Sequence, residues 1–189
     1  GIRCSSTSRG VGDVYKRQNY FNLPVVGIEP SCLLTFTDEY QKLKNVNNRE
    51  KIKNKFYLLE EFILEQIKND NKVKTNKFDQ NVLIHGHCHQ KSQDRMKGLT
   101  NLLSELKINN KMIDSSCCGM AGSFGYDSKN YEVSKKMANL SLIPAINNSD
   151  EADFIIANGT SCRHQISDLS HKKGKHVSEL LFKIFETVN

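Results

Sequence analysis

FIIANGTSCRHQ, residues 154–165, runs from an apolar stretch (Phe154-Ile155-Ile156-Ala157) through a short polar turn to a cysteine, Cys162. VVGIEPSC at residues 25–32 repeats that order, and VLIHGHC at residues 82–88 follows it with a different turn. Short apolar runs rich in β-branched residues, bounded by Gly, Pro, Asn or Ser, are strand signals. Val25–Ile28, Val82–Ile84, Met112–Ile113 with its flanks, and Phe154–Ala157 meet that description. Segments with helical period lie between them, and strands alternating with helices imply an α/β fold with a parallel sheet flanked by helices. Each cysteine motif then falls at the C-terminal end of a strand, the edge where open parallel sheets gather ligands.

The helical stripes support this reading. Ile52, Phe56, Leu59, Ile63 and Ile67 share one face of a helix predicted near residues 49–70, as do Met96, Leu99, Leu103 and Leu106 of a second. A third helix is expected from about Ser128 to Leu142, with Pro144 ending or bending it. A fourth, capped by Ser178, carries Val177, Leu180, Leu181, Ile184, Phe185 and Val188 at three- and four-residue spacing. All these stripes read as core. The likeness of VVGIEPSC to IIANGTSC points to the end of one unit followed by a whole second unit. The expected division is a leader foreign to the fold at 1–18, the end of a first unit plus a connecting helix at 19–78, and a complete second unit at 79–189. The leader, GIRCSSTSRGVGDVYKRQ, resembles a translated adaptor, so the natural chain is expected to continue upstream of Asn19.

Composition narrows the function. The chain has 189 residues, 38% hydrophobic and 25% charged, as in ordinary soluble proteins, and no apolar run approaches the roughly 20 residues needed to cross a bilayer. The leader has no apolar signal-peptide core. It contributes +3 of the formal +6 charge through Arg3, Arg9, Lys16 and Arg17 against Asp13. The mild remainder, with no aromatics interleaved among its lysines, argues against a nucleic-acid groove. With Cys4 set aside in the leader, five cysteines remain in a chain without an export signal. A disulfide framework gives way to metal or redox chemistry, and the expected compartment is the cytoplasm.

Cys88, Cys117, Cys118 and Cys162 offer four thiolates from three loops, the ligand count of an iron–sulfur cluster. Zinc also takes four thiolates, but structural zinc sites favour Cys-x-x-Cys knuckles, and the chain has none. Adjacent cysteines suit different irons of one cluster better than one tetrahedral ion. A structural zinc or interaction module remains the alternative. Gly119, Gly122 and Gly125 let the backbone approach a ligand and turn amides toward sulfur. On an extended backbone His85, His87 and His89 share one face and Cys88 takes the other, so the histidines suit hydrogen bonding around the site, with His85, His87, His89 and His164 as candidates to touch the cofactor. A Cys/His hydrolase leaves the Cys-Cys-Gly motif without a role. A thiol–disulfide enzyme using Cys117 and Cys118 requires a strained bridge between neighbours.

CCGMAGSFG, HGHCHQKS, EPSCLLTF and ANGTSCRHQI together resemble the cysteine-rich CCG domains of FAD-linked oxidoreductases, from about Val25 to the end of the chain. Within that group the chain looks most similar to the C-terminal region of fused D-2-hydroxy acid dehydrogenases. The iron–sulfur subunit of glycolate oxidase, a subunit of anaerobic glycerol-3-phosphate dehydrogenase and a subunit of heterodisulfide reductase are relatives. The resemblance implies an iron–sulfur cluster, 4Fe–4S, held by Cys88, Cys117, Cys118 and Cys162, with Cys32 matching the last cysteine of the preceding unit. It also implies FAD in a missing upstream part, a flavin-containing domain or subunit as electron donor, and a quinone or carrier as acceptor. The chain alone would then relay electrons rather than turn over substrate, in the cytoplasm and compatible with peripheral contact at the inner face of the membrane. Fuller members end the motif with Cys-x-x-Cys, whereas Cys162 is followed here by Arg163, His164 and Gln165.

Overall fold

A computed structural model describes residues 23–43, 55–69, 74–151 and 153–185. The leader and Cys4 lie outside them, as do Ile52 and Val188. The first unit contributes β1 (Val25–Gly27), α1 (Pro30–Thr37), β2 (Phe56–Leu58) and α2 (Leu59–Asn69), with β1 and β2 paired in parallel. Its small core joins Leu33, Leu34, Phe36, Phe56 and Leu58, with the Phe36 and Phe56 rings stacked at 4.7 Å.

The second unit is a three-stranded parallel sheet of order β4-β3-β5, made of β3 (Val82–His85), β4 (Asn110–Met112) and β5 (Phe154–Ala157). After β3 come α3 (Cys88–Ser92) and α4 (Met96–Glu105), and after β4 come α5 (Tyr131–Ala138) and α6 (Leu142–Asn147). After β5 come α7 (Thr160–Leu169) and α8 (Val177–Ile184). Successive strand residues point to opposite faces. Val82, Ile84, Phe154 and Ile156 therefore meet α2, α4 and α8, while Leu83, Ile155 and Ala157 meet α5, α6 and α7. Strands β3 and β5 are buried on both faces, which explains their continuous apolar runs, while β4 is a more exposed edge strand. The chain leaves β3 toward β4 and leaves β5 in the other direction, toward Lys175, which bridges Ile156 in parallel. Connections that diverge from two adjacent strands open a crevice at their C-terminal ends. The Cys88 and Cys162 turns flank it.

Several local expectations change. Phe56 belongs to a strand, and the helix begins only at Leu59, because Phe56 and Leu58 alternate into the small core while Ile63 and Ile67 face the main one. The helix expected over 128–142 is two, and Pro144 lies in the first turn of α6, where its missing N–H has no intrahelical partner to lose. Strand β4 runs over Asn110–Met112, one residue earlier than its apolar pair suggested. His176, rather than Ser178, caps α8. The extended run ends at His85, and Cys88 opens a helix, so the three histidines do not share a strand face.

The two Ser-Cys segments share local features. Val26 pairs with Tyr57 in the first unit and Ile156 with Lys175 in the second, both in parallel. Each pairing is followed by a helix whose glutamate reaches back three residues, Glu61 to the Leu58 amide and Glu179 to the His176 amide, both at 2.9 Å. Cys32 and Cys162 are each the third residue of the helix after the matching strand.

Candidate metal centre

Three β–α turns build the site. At the end of β3, His85 is 2% exposed, and its Nδ1 lies 2.9 Å from Ser115 Oγ. Gly86 and His87 turn the chain, and His87 Nδ1 accepts the amide of His89 to cap α3, whose first residue is Cys88. From the next turn of α3, Lys91 extends its ammonium to the carbonyls of Ser115 and Ser116 and pins the loop that carries Cys117 and Cys118.

That loop depends on glycine. Gly119 has φ +89 and packs so tightly against the Ser134 carbonyl of α5 that a Cβ would overlap it; its amide donates to Cys117 Sγ at 3.2 Å. Ser134 Oγ lies 2.9 Å from Gln165 Nε2 of α7, which fastens the loop's floor to the third turn. Gly122 is also left-handed at φ +68 but faces open space, so its service is to the turn. In the third turn a Cβ on Gly159 would meet His87 and, at 3.2 Å, Cys162 Sγ.

The thiols run in one connected row. Cys88 lies beside Cys117, Cys117 beside Cys118, and Cys118 beside Cys162, each close enough to shift its neighbour's proton affinity. Bonds with Cys118 and Cys88, then the amides of Gly119 and Ala121, hold the Cys117 thiol far below the ordinary range against the effect of burial. Cys88 and Cys118 are raised, Cys88 by its bond to Cys117 and by burial, Cys118 by its neighbours Cys117 and Cys162 and by burial. The bond to Cys118 is the main reason Cys162 falls to about 5, with His85 and His87 adding to it and burial opposing it. Ligand atoms of His85, Cys118 and Cys162 all lie within 4.8 Å of one another and all three residues are buried. His85 Nε2 has no hydrogen-bond partner. Soft sulfur donors around an unpaired imidazole nitrogen fit a transition metal.

Of the residues singled out in sequence, Cys88, Cys117, Cys118 and Cys162 come together. Cys32 is exposed and stands outside that row. His164 is exposed and pairs with the Tyr126 hydroxyl at 2.6 Å, facing outward. His87 is buried beside Cys162, His89 stacks edge-on with it at 5.6 Å, and His89 Nδ1 is buried without a partner. Of the three histidines around Cys88, His85 is the one gathered with the sulfurs, and two contributors were missed, Glu29 and Glu60. Glu29 accepts the amide and hydroxyl of Thr160, at 2.9 and 2.7 Å, and so caps the helix that carries Cys162. Glu60 is 1% exposed and accepts Gln90 of the Cys88 helix at 2.7 Å and Asn158 of the Cys162 turn at 3.0 Å. Neither glutamate carries a signal in sequence, because only the fold brings its partners to it.

Fold and site define a cysteine-rich α/β unit with the donor set of a metal centre at its sheet crevice. Residues 82–167, which contain all four gathered cysteines, are a CCG cysteine-rich domain, matching the family described as "Cysteine-rich domain". The chain is similar to D-2-hydroxyglutarate dehydrogenase of Haemophilus influenzae (25% identical, covering 97% of this chain and 18% of that protein). It is also similar to the enzyme of the same name from Pseudomonas putida (23%, covering 85% and 15%). A subunit of the anaerobic glycerol-3-phosphate dehydrogenase of Escherichia coli K12 is 24% identical, with 84% of this chain and 40% of that protein covered. The chain thus spans less than a fifth of those D-2-hydroxyglutarate dehydrogenases and two-fifths of the Escherichia coli protein. No solved structure matches it. Among the described residues no helix is long and apolar enough to cross a membrane.

Proposed function

We propose that this chain is the electron-transfer part of an FAD-linked oxidoreductase of the D-2-hydroxy acid dehydrogenase type, its CCG domain holding a 4Fe–4S cluster through Cys88, Cys117, Cys118 and Cys162. The observation that supports this most is the meeting of four thiols from three turns at the crevice between β3 and β5. When bound, the cluster supplies a one-electron carrier between flavin and acceptor, and its potential follows burial and hydrogen bonds to sulfur. The chain supplies that setting. Buried Cys118 and Cys162 keep water from one side, the Gly119 amide bonds the Cys117 sulfur, and Lys91 adds positive charge near Cys88. The flavin belongs to a domain or subunit outside this chain, the acceptor is a quinone or carrier, and the setting is the cytoplasm or the inner membrane face. Cys32 belongs to the preceding unit, as the last ligand of a second site completed upstream.

Iron, zinc and sulfide content with an ultraviolet–visible spectrum, on protein prepared without oxygen, tests this reading. Iron with sulfide and a broad band bleached by dithionite is the expected result; zinc alone would reduce the site to a structural module. Cys117→Ser and Cys118→Ser are each expected to abolish cluster binding, and Cys4→Ser to leave it unchanged. A full cluster in both site variants would overturn the assignment.

A further inference from the structure

We propose that His85 is a metal ligand of this centre through Nε2, acting with the sulfurs of Cys118 and Cys162. The inference deepens the proposed function by naming a nitrogen ligand, and it stands on three features of His85 itself. Its ring is 2% exposed, so water does not satisfy it from bulk. Its Nδ1 is engaged with Ser115 Oγ at 2.9 Å, whereas Nε2 has no hydrogen-bond partner. Its ligand atom is gathered with the sulfurs of Cys118 and Cys162 within 4.8 Å. A nitrogen buried without a partner in this way is costly to the fold unless something takes up its lone pair. A metal does so.

The fixed end of the ring matches. With Nδ1–H donating to Ser115 Oγ, the neutral tautomer leaves the Nε2 lone pair free, the arrangement metal-bound histidines adopt when a neighbour holds the other nitrogen. Ser115 is itself held, because Lys91 bonds its carbonyl. Gln165 is committed to the Ser134 carbonyl and hydroxyl at 3.2 and 2.9 Å, and His164 to Tyr126. His89 Nδ1 is also unpaired, but it is not among the atoms gathered with Cys118 and Cys162.

The test uses the whole 189-residue chain, labelled with nitrogen-15 only in its histidine rings and loaded in two ways. One sample is reconstituted with iron and sulfide, reduced with dithionite and read by pulsed electron paramagnetic resonance for ring-nitrogen hyperfine coupling. The other is loaded with zinc and read by X-ray absorption for imidazole scattering. Both signals are expected in the wild type and lost in His85→Ala and His85→Cys. His85→Cys keeps its metal because a thiol replaces the ring, which separates ligation from folding should the alanine variant unfold. Ser115→Ala, with the ring no longer held, is expected to weaken metal retention by roughly 10-fold. A cluster without ring-nitrogen coupling, or coupling that persists in both His85 variants, overturns the assignment while leaving the iron–sulfur reading intact. Zinc with an imidazole signal that depends on His85, but no cluster, upholds His85 and overturns the iron–sulfur reading. A chain that retains neither metal overturns both.

Discussion

Gly119 and Glu60 show how single positions hold the site. A Cβ at residue 119 would require an L side chain at φ +89 and would overlap the Ser134 carbonyl, which backbone movement alone can relieve. The left-handed conformation alone costs about 1–2 kcal/mol for a residue with a Cβ. Gly119→Ala is therefore expected to destabilise the chain by at least about 2 kcal/mol in urea unfolding and to lower metal occupancy, whereas Gly122→Ala, with open space around it, should cost about 1 kcal/mol. Glu60 has the opposite character, a carboxyl buried between two cysteine-bearing turns and pushed up to about 7, by burial first. A folded-state value above the unfolded one near 4.5 means that the folded chain binds the extra proton between those values, so stability falls as pH rises from about 4.5 to 7. At pH 8 the accumulated cost is about 3 kcal/mol. Glu60→Gln keeps an oxygen for Gln90 and Asn158 without the charge. The difference in unfolding free energy between variant and wild type should therefore grow in the variant's favour across that window, and a flat difference would dismiss the effect. The four clustered cysteines were legible because type and spacing suffice for them. Glu60 was not, since nothing near it in sequence distinguishes it from Glu61 beside it, which pairs with Arg95, and only the fold brings Gln90 and Asn158 to its side.

At the level of elements, helix α8 illustrates both what patterning reveals and what it hides. Val177, Leu180, Leu181 and Ile184 are buried as their spacing implied. The cap is His176, whose Nδ1 accepts the Ser178 amide at 3.1 Å while Nε2 donates to the Ile28 carbonyl of the first unit at 2.8 Å. An imidazole cap depends on proton state, which residue-type preferences for Ser or Asp do not register. Burial, foremost, holds the His176 ring below its ordinary value of 6.5. The unfolded chain then binds the proton more readily, so the stability His176 contributes is present above pH 6.5 and is lost as pH falls through the lower folded value. His176→Ala is expected to cost about 1–2 kcal/mol at pH 7.5 and less at pH 5, measured by denaturant unfolding; an equal cost at both values would remove the proton-dependent cap. Phe56 misled for a related reason. A stripe at three- and four-residue spacing fits a helix, and the strand period of Phe56 and Leu58 is too short to outweigh it. The strand shows itself only through its partner β1 and the stacked Phe36 ring.

Across the whole molecule, the two units share one structure around the cysteines. Helix α2 follows a strand of the first unit yet lays Leu59, Ile63, Leu64 and Ile67 on the core of the three-stranded sheet. Its Glu61 forms an ion pair with Arg95 of the second unit, and Thr37 Oγ1 lies 3.0 Å from Gln93 Oε1. Glu29, Glu60 and the Ile28 carbonyl add the three polar links already described. The alternation of strands and helices made the parallel fold legible. The strand order did not follow from them, because order depends on which crossover turns each way, and neither did the dependence of one unit on the other. That dependence can be measured. Each of the four apolar side chains on α2 contributes on the order of 1 kcal/mol or more when partly buried, and a domain has only about 5–15 kcal/mol in total. A chain starting at residue 79 loses all four together with every polar link to the Cys88 and Cys162 turns. It is expected to lack cooperative thermal unfolding and to retain no metal, whereas a chain starting at residue 23 keeps both. Circular dichroism melts and metal content of the two truncations check this. If the shorter chain melted at the same temperature and bound metal equally well, the CCG domain would be self-sufficient and the buried Glu60 only a decoration of its surface.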